Sequence, residues 1–336
     1  MAVLPRIASL LWLLLVVCSA LVRASPARPL LPRTYFTVNN VTGSIEVFDS
    51  SGARIKQGSA SDGSGANFDV PAIIWIGFSL LIGLPMAVAG IRGWRFTTGV
   101  GIGLAGAVCS WAAVINSVSG DGGIPDLFLN AIVIVFFACG FALGMFEVGR
   151  LGGITMIGLT GGAAFGIRIV LLRPGLLISS TQLYGLNWVV VGVFGGGGGL
   201  SLIWFQRYGL LLGCASIGTF LTGLGIDLIM AKQAGLSSGL RFLMDRNSSH
   251  IADLLTHEFT APLRTRIIII ASLGLTPILA VIQHRVFRAP FTRRPVESDE
   301  ALGINFPNVL ETKRTTFLVS IWDGATRHDK VNRFSV

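Results

Sequence analysis

The feature that most constrains this chain is a series of seven apolar runs, each of roughly membrane-spanning length. They occupy residues 70–91, 97–118, 125–146, 151–172, 186–206, 209–230 and 267–282. An α-helix crosses the hydrocarbon core of a bilayer in about 20 apolar residues. The 336 residues are 52% hydrophobic and only 13% charged, whereas soluble domains carry about 25% charged residues. The sequence therefore predicts an all-α, polytopic membrane protein with seven transmembrane helices.

The two ends of the chain differ in composition from this apolar centre. Residues 1–24 carry a basic residue, an apolar stretch and small residues at their end, which is the pattern of a cleaved secretory signal peptide. An uncleaved signal anchor is the alternative interpretation. We expect residues 25–69 to form a short luminal or extracellular segment, residues 70–284 the transmembrane domain, and residues 285–336 a cytosolic tail.

Charges between the apolar runs predict the orientation. If the amino end is luminal, the turns with Arg95, Arg150 and Arg207 face the cytosol together with the basic tail, as the positive-inside rule requires. The luminal segment 232–266 is the main exception, because it holds five basic residues. Glycosylation sequons at Asn40 and Asn247 both fall on the luminal side. We expect a glycoprotein of the secretory pathway or cell surface, with its carboxyl end cytosolic.

The same three arginines mark a weak internal repeat, since they are 55 and 57 residues apart. Each ends one apolar run and begins a glycine-rich one, so the chain reads as three helical hairpins plus a seventh helix. In lipid, helices associate through close backbone approach, which small residues permit. We expect the glycines to pack helices inside the bundle, with homo-oligomer contact as the alternative. The glycines expected to do so are Gly99, Gly103, Gly106, Gly158, Gly162 and Gly166, together with Gly195, Gly196, Gly197, Gly198 and Gly199.

The last five glycines form an unbroken tract in the middle of the fifth run. A flexible linker there would leave backbone groups unpaired in hydrocarbon, at a cost of several kcal/mol each. A phosphate-binding loop is excluded, because no Lys-Ser or Lys-Thr follows. We expect continuous helix with a side-chain-free waist, so that Gly197→Leu should disrupt assembly. A hinge in a protein-lined cavity is the alternative.

Two ionisable residues lie within the apolar runs. Arg168 and Asp227 are at similar depth, because each follows the cytosolic start of its run by about 26 Å at the helical rise. They are candidates for an ion pair near the luminal rim, for separate snorkelling to the headgroups, or for a transport or ligand role.

Catalytic and metal-binding constellations are not convincing. "GLGID" around Asp227 lacks the second carboxylate that an intramembrane protease needs. His250, Asp253 and His257 share one helical face, but the two histidines are about 10 Å apart, too far to hold one ion. An amphipathic interfacial helix is the favoured interpretation there. We expect no enzyme activity, no cofactor and no metal.

The carboxyl tail begins with a basic cluster next to Phe287 and Phe291. This cluster suits anionic inner-leaflet lipids, although a plain stop-transfer flank explains it equally well. With a net charge of +9 and no nucleic-acid-binding pattern, the positive charge indicates membrane contact and not nucleic acid. The arginines of the cluster are Arg285, Arg288, Arg293 and Arg294.

Several stretches resemble a known family. "FDVPAIIWIGFSLLIGLPMAVAGIRGWRFTTG", the glycine tract with "IWFQR", and "LTPILAVIQHRVF" are similar to the multipass family of transmembrane protein 198 and seven-transmembrane superfamily member 3, especially its fungal members. The resemblance implies a seven-span domain of largely unassigned function, and it supplies no catalytic or ligand residues.

The favoured functional interpretation is a non-enzymatic membrane scaffold or signalling-associated component, with a transporter or channel as the alternative. The hydroxyl side chains within the spans distinguish the two. Facing one cavity they would favour transport, and facing scattered neighbours they would favour scaffolding. The residues concerned are Thr155, Thr160, Ser216, Thr219 and Thr222.

Topology is testable with single Asn40→Gln and Asn247→Gln variants. Each should lose one endoglycosidase-sensitive glycan on gel electrophoresis, because both sequons are expected in the lumen. Protease added to intact vesicles should remove the carboxyl tail. Cleavage of the tail only after membrane rupture would overturn the orientation.

Overall fold

The seven transmembrane helices are present in the computed structural model. The structure describes residues 35–38, 45–58, 61–118, 124–178, 184–256 and 259–287. Within them, seven helices are long and apolar enough to cross a membrane, which confirms the predicted fold class. The predicted signal peptide, Asn40, His257 and the tail after Phe287 lie outside the described residues.

The long helices follow the apolar runs closely. They are α1 (Val70–Ala89), α2 (Trp94–Ser117), α3 (Asp126–Met145), α4 (Arg150–Leu171), α5 (Gly185–Trp204), α6 (Gln206–Ala231) and α9 (Leu263–Val286). Two short helices, α7 (Leu236–Met244) and α8 (Ile251–Thr256), lie between α6 and α9. An antiparallel sheet of β1 (Tyr35–Val38), β2 (Ile45–Phe48) and β3 (Arg54–Ile55) precedes α1.

Helix α9 is longer than its apolar run, because two arginines extend its first turn. The nitrogen Nη1 of Arg264 donates to the Met230 carbonyl at 3.2 Å, and Nε of Arg266 donates to the Ala261 carbonyl at 3.0 Å. At the other end, Gln283 Nε2 donates to the carbonyls of Met86 and Ala87 at 3.2 and 2.6 Å. These two carbonyls belong to the last turn of α1, where a helix lacks its own donors.

Burial alternates along the chain. The apolar segments of α2, α4 and α6 are 61%, 56% and 78% buried, whereas those of the other four long helices are 22% to 33% buried. The three inner helices are the ones that begin beside the repeat arginines. Helices α2 and α4 pack most closely with the helices that follow them, α3 and α5, while α6 packs against α1 and α9. The repeat unit is therefore an inner helix with the outer helix after it.

Glycines on α2 bring its backbone against that of α3. A Cβ added to Gly99 would lie 3.0 Å from the Phe141 carbonyl oxygen, and one added to Gly103 would lie 2.9 Å from that of Phe137. Gly106 faces the Phe136 carbonyl at 3.0 Å, and Gly140 of α3 faces the Ile102 carbonyl at 2.8 Å. These contacts leave no room for a side chain on either helix.

The α4–α5 interface is built in the same way. A Cβ on Gly158 would lie 2.7 Å from the Gly198 carbonyl oxygen, and one on Gly166 would lie 3.0 Å from the Val191 Cα. Gly162 faces the Phe194 carbonyl so closely that even a methyl group would overlap it. The stripe on α4 thus lies along α5.

Helix α5 runs without interruption through the five-glycine tract, so the tract is not a hinge. Gly195, Gly198 and Gly199 share one face by helical spacing and contact α4, whereas Gly196 and Gly197 have open space beside them. The glycine tract is therefore packed on one side only. The expectation that Gly197→Leu disrupts assembly is wrong, because Gly197 has open space beside it. Five consecutive residues cover every direction around a helix, but α5 has a packed neighbour chiefly on one side.

The two ends of the bundle differ. At the end where α1 begins and α2, α4 and α6 finish, here called the capped end, residues 45–58, 61–68, 232–256 and 259–262 cover the helices. Trp111 Nε1 donates to the Asp62 carbonyl at 2.8 Å, and Gln57 Nε2 donates to the Ser248 carbonyl at 3.0 Å. The opposite or open end carries the short turns between α1 and α2, α3 and α4, and α5 and α6.

The one-sided packing of α5 predicts different outcomes for neighbouring glycines. Gly198→Ala should destabilise the protein by about 1–3 kcal/mol, because its methyl group overlaps the Gly158 carbonyl. Gly197→Ala should be neutral or stabilising by up to about 1 kcal/mol, because alanine favours helix and meets open space. Thermal unfolding in detergent, followed by size-exclusion fluorescence, compares the two. Equal losses would contradict this packing.

Candidate functional site

The most unusual group in the bundle is Arg168, whose side chain is completely buried. It lies in the last turn of α4, and its Nε donates to the Ala164 carbonyl at 3.1 Å. Nη2 donates to the Ser216 hydroxyl at 2.7 Å and to the Ser216 carbonyl at 3.2 Å. Nη1 donates to the Ser272 carbonyl at 3.0 Å and to the hydroxyls of Thr219 and Thr276 at 2.9 and 3.1 Å.

These bonds join three helices through one guanidinium. Ser216 and Thr219 belong to α6, and Ser272 and Thr276 belong to α9. The acceptors are themselves connected, because the Thr219 and Thr276 hydroxyl oxygens are 2.9 Å apart and the Ser216 hydroxyl donates to the Gly161 carbonyl at 2.6 Å. We call Arg168 with these four residues the arginine cluster.

Neutral groups surround the guanidinium charge. Every N–H of Arg168 points to a hydroxyl or carbonyl oxygen, and its Cζ lies 5.6 Å from the Phe165 ring and 6.0 Å from the Phe220 ring. These distances are within about 6 Å, where aromatic faces attract cations. The charge is therefore solvated by oxygen dipoles and ring faces, and among the described residues it has no carboxylate in ion-pair contact.

The expected pair of Arg168 with Asp227 does not form. Asp227 accepts from the Thr265 hydroxyl at 2.6 Å and from the Leu236 backbone N–H. It lies eleven residues after Ser216 on α6, or about 16 Å farther toward the capped end. A helical side chain leans toward the amino end of its helix, so Arg168 reaches back into the bundle and away from Asp227.

The hydroxyls in the spans have separate neighbours. Thr155 and Thr160 donate to carbonyls of their own helix, Leu151 at 3.1 Å and Met156 at 2.5 Å. Ser216 and Thr219 serve Arg168, while Thr222 Oγ1 has no hydrogen-bond partner. These five side chains do not face one cavity, and only two of them belong to the arginine cluster.

Three buried hydroxyl and amide oxygens elsewhere in the described helices have no hydrogen-bond partner. They are Ser79 Oγ on α1, Thr222 Oγ1 on α6 and Gln283 Oε1 on α9. A cavity of about 20 Å³, enough for about one water molecule, lies closer to the capped end, between Trp75, Trp111 and Leu228. This cavity is lined by residues of α1, α2 and α6 among others, and none of its lining residues belongs to the arginine cluster.

The capped end contains the charged residues considered as a metal site. His250 Nδ1 lies 2.9 Å from Asp245 Oδ2, and Asp253 forms an ion pair with Arg241. Helix α8 covers only residues 251–256, so His250 and Asp253 have different partners. Within the described part of the chain, no group of three or more potential ligands is close enough to hold a metal ion.

Asn247 has a structural role at the same end. Its Oδ1 accepts from the Ser249 N–H at 3.0 Å, and its Nδ2 donates to the Val118 carbonyl after the last turn of α2. A glycan on Nδ2 would leave one N–H for this bond. Glycosylation of Asn247 stays a prediction.

Basic side chains cluster at the open end. Arg95 and Arg150 lie over the Trp94 ring, while Arg207 Nη2 donates to the Phe287 carbonyl at 2.7 Å. Arg285 is exposed at the end of α9. The other tail arginines predicted to contact lipid, Arg288, Arg293 and Arg294, lie outside the described residues.

The sequence interpretation missed two members of the arginine cluster. Ser272 and Thr276 are one helical turn apart on α9, and Ser216 and Thr219 are three residues apart on α6. Hydroxyls at such spacing share a face. This pairing, in two apolar runs, was the available signal that these faces meet a polar group.

Comparison with known proteins agrees with this architecture. A family model described as a TM7S3/TM198-like domain matches residues 76–284. The match begins in α1 and ends in α9, so it includes all or most of every long helix and more than half of the chain. No curated protein and no solved structure matches the chain.

The arginine cluster predicts a specific loss of stability in Thr276→Ala. The change removes an acceptor from a buried cation, and such hydrogen bonds contribute about 1.5–3 kcal/mol. Thr276→Ser should restore most of the loss, because it keeps the oxygen. Thr155→Ala is the matched control and should change stability by less than about 0.5 kcal/mol, since Thr155 bonds only within α4. Thermal unfolding in detergent measures all three, and equal effects would contradict the cluster.

Proposed function

The chain belongs to the TM7S3/TM198-like family, and on that premise we propose that it is a non-enzymatic membrane scaffold or signalling-associated component. The seven-helix domain would hold a fixed shape in the bilayer, and the cytosolic tail would provide the contact surface for partners. The observation that carries this proposal is that the donors of Arg168 are already bonded to oxygens of the protein itself.

A transported solute needs polar groups that can exchange protein partners for the solute. Arg168 is the strongest such group in the described spans, but all its donors already meet protein oxygens from α4, α6 and α9. Breaking these bonds would expose a cation in a low-dielectric interior, which is costly. The cluster therefore favours a rigid connection between helices over a transient binding site.

The dispersed hydroxyls support the same proposal. Thr155 and Thr160 donate to carbonyls of α4 itself and take no part in the arginine cluster. Close glycine contacts on both α2 and α4 further limit relative sliding of the helices, because backbone atoms already touch. A bundle of this kind suits a platform whose function depends on constant geometry.

The cellular setting is part of the proposal. A signal peptide, a luminal amino end, glycosylation and residence in the secretory pathway or at the cell surface agree with the basic turns at the open end. Contact with a second copy or with another membrane protein fits the outer face of α5, where Gly196 and Gly197 have open space. Tail arginines would add contact with anionic lipids.

A transporter or channel is the second candidate. The unsatisfied atoms Ser79 Oγ, Thr222 Oγ1 and Gln283 Oε1 favour it, because buried polar groups without partners are rare and often belong to functional sites. They belong to α1, α6 and α9, and none of them is bonded to Arg168. A path there would be lined by hydroxyl and amide groups and not by charge.

Removal of residues 288–336 tests the scaffold proposal. The truncated chain should assemble and unfold like the full chain, because the seven helices end at Val286. Proximity labelling in cells should nevertheless lose a set of cytosolic neighbours. The same set should be recovered by residues 288–336 fused to an unrelated single-span protein, which serves as the control.

Reconstitution into liposomes provides the opposing result. Ion or solute flux that is present with the full chain and is reduced by Thr222→Val or Ser79→Ala would contradict the scaffold proposal and favour the transporter. Labelled neighbours that are unchanged by truncation would also contradict it.

A further inference from the structure

Two arginines of the sequence repeat meet at one indole ring. The guanidinium carbon of Arg95 lies 5.4 Å from the centre of the Trp94 ring, and that of Arg150 lies 5.6 Å from it. Both distances are in the range of cation–π attraction. Because both cations lie against the same ring, their guanidinium carbons are within about 11 Å of each other.

The fold holds this arrangement in place. Trp94 and Arg95 begin α2, and Arg150 begins α4. Thr98, one turn into α2, has its hydroxyl 2.7 Å from the Gly144 carbonyl of α3, and a Cβ on Gly153 of α4 would lie 2.7 Å from the Thr98 carbonyl oxygen. Three helix ends therefore meet at Thr98, which is itself fully buried. The spacing of the two arginines follows from backbone packing.

In the part of the chain that the structure describes, the positive charge at this point has no ion-pair partner. Neither Arg95 nor Arg150 forms an ion pair with a described carboxylate, and Arg92 adds a further exposed cation two residues before Trp94. Gly93 caps α2 without a side-chain acceptor, so the positive end of the helix dipole points the same way. The third repeat arginine, Arg207, differs, because it donates to the Phe287 carbonyl.

We infer that Arg95 and Arg150, positioned by Trp94, bind the phosphate of an anionic phospholipid in the leaflet at the open end. Guanidinium groups match phosphate oxygens through paired hydrogen bonds. Tryptophan is enriched at the membrane–water interface, where headgroups lie. Phe146 and Val148, on the turn before Arg150, are 65% and 52% exposed, and they provide an apolar surface for an acyl chain. The ligand is thus a lipid and not a free anion.

This site is independent of the proposed scaffold function and of the tail arginines that follow α9. It also gives the repeat a physical meaning. Each repeat arginine stands at the amino end of an inner helix, and two of the three converge on one headgroup position. The third, Arg207, donates instead to the Phe287 carbonyl at the end of α9.

The test uses the full chain in a neutral maltoside detergent, titrated with phosphatidylglycerol or phosphatidylcholine and followed by thermophoresis. The Arg95→Gln/Arg150→Gln double variant should raise the Kd for phosphatidylglycerol about 10- to 30-fold, because each guanidinium contributes at most about fivefold. Binding of phosphatidylcholine should not change. The control is Arg173→Gln/Arg264→Gln, which removes the same charge at the capped end and should leave the Kd within about twofold.

Two further measurements complete the design. Arg95 is exposed, so the single Arg95→Gln variant tests the site even if the double variant does not assemble, and it should raise the Kd about fivefold. Inorganic phosphate is titrated in parallel and should bind far more weakly than phosphatidylglycerol. Equal loss in the control pair, an unchanged Kd in Arg95→Gln, or phosphate binding as tight as lipid binding would each overturn the inference.

Discussion

The fold depends on one constraint, which is that helices in lipid gain little by hiding apolar side chains from a solvent that is equally apolar. Association must come from backbone proximity and from polar contacts that lipid cannot offer. Both are concentrated in the inner helices α2, α4 and α6. Glycine lets α2 and α4 reach the carbonyls of α3 and α5, and Arg168 bonds α4 to α6 and α9. The outer helices can then present large apolar side chains to the bilayer.

The two devices act in different places and have different consequences. Glycine contacts depend on shape and act along whole helix pairs, so a single methyl group is enough to disturb them. The arginine cluster acts at one point, but its strength depends on charge and on the completeness of its acceptors. A lysine could not replace Arg168, because three donors on one nitrogen cannot match five donors in a planar fork. Helix α6, which is the most buried helix, takes part in both.

The sequence was sufficient to predict the spans, but it did not show which helices pack against each other. Hydropathy predicted all seven helices, because the need for apolar residues across the bilayer acts on each helix alone. Glycine spacing marked the interacting faces of α2 and α4, yet it does not identify the helix that fills them. Arg168 and Asp227 were expected to pair because they lie at similar depth along the helix axis. The arginine side chain instead extends toward the amino end of α4, where it bonds to hydroxyls on α6 and α9. Gly197 could not be separated from Gly198 without knowing on which side of α5 the neighbour lies.

An asymmetry between the two ends follows from this arrangement. At the capped end, loop residues contact the helices: the Asp62 carbonyl accepts from Trp111 of α2, and Asn247 donates to the Val118 carbonyl after the last turn of α2. At the open end, the turns are too short to supply such partners, and the chain changes direction within a single residue at Phe205. Two of the arginines at these turns, Arg95 and Arg150, lie over the Trp94 ring, and Arg285 is exposed at the end of α9. Among the described residues, loops therefore cover one end of the bundle, whereas short turns and arginines form the other, which is the end where we infer lipid contact.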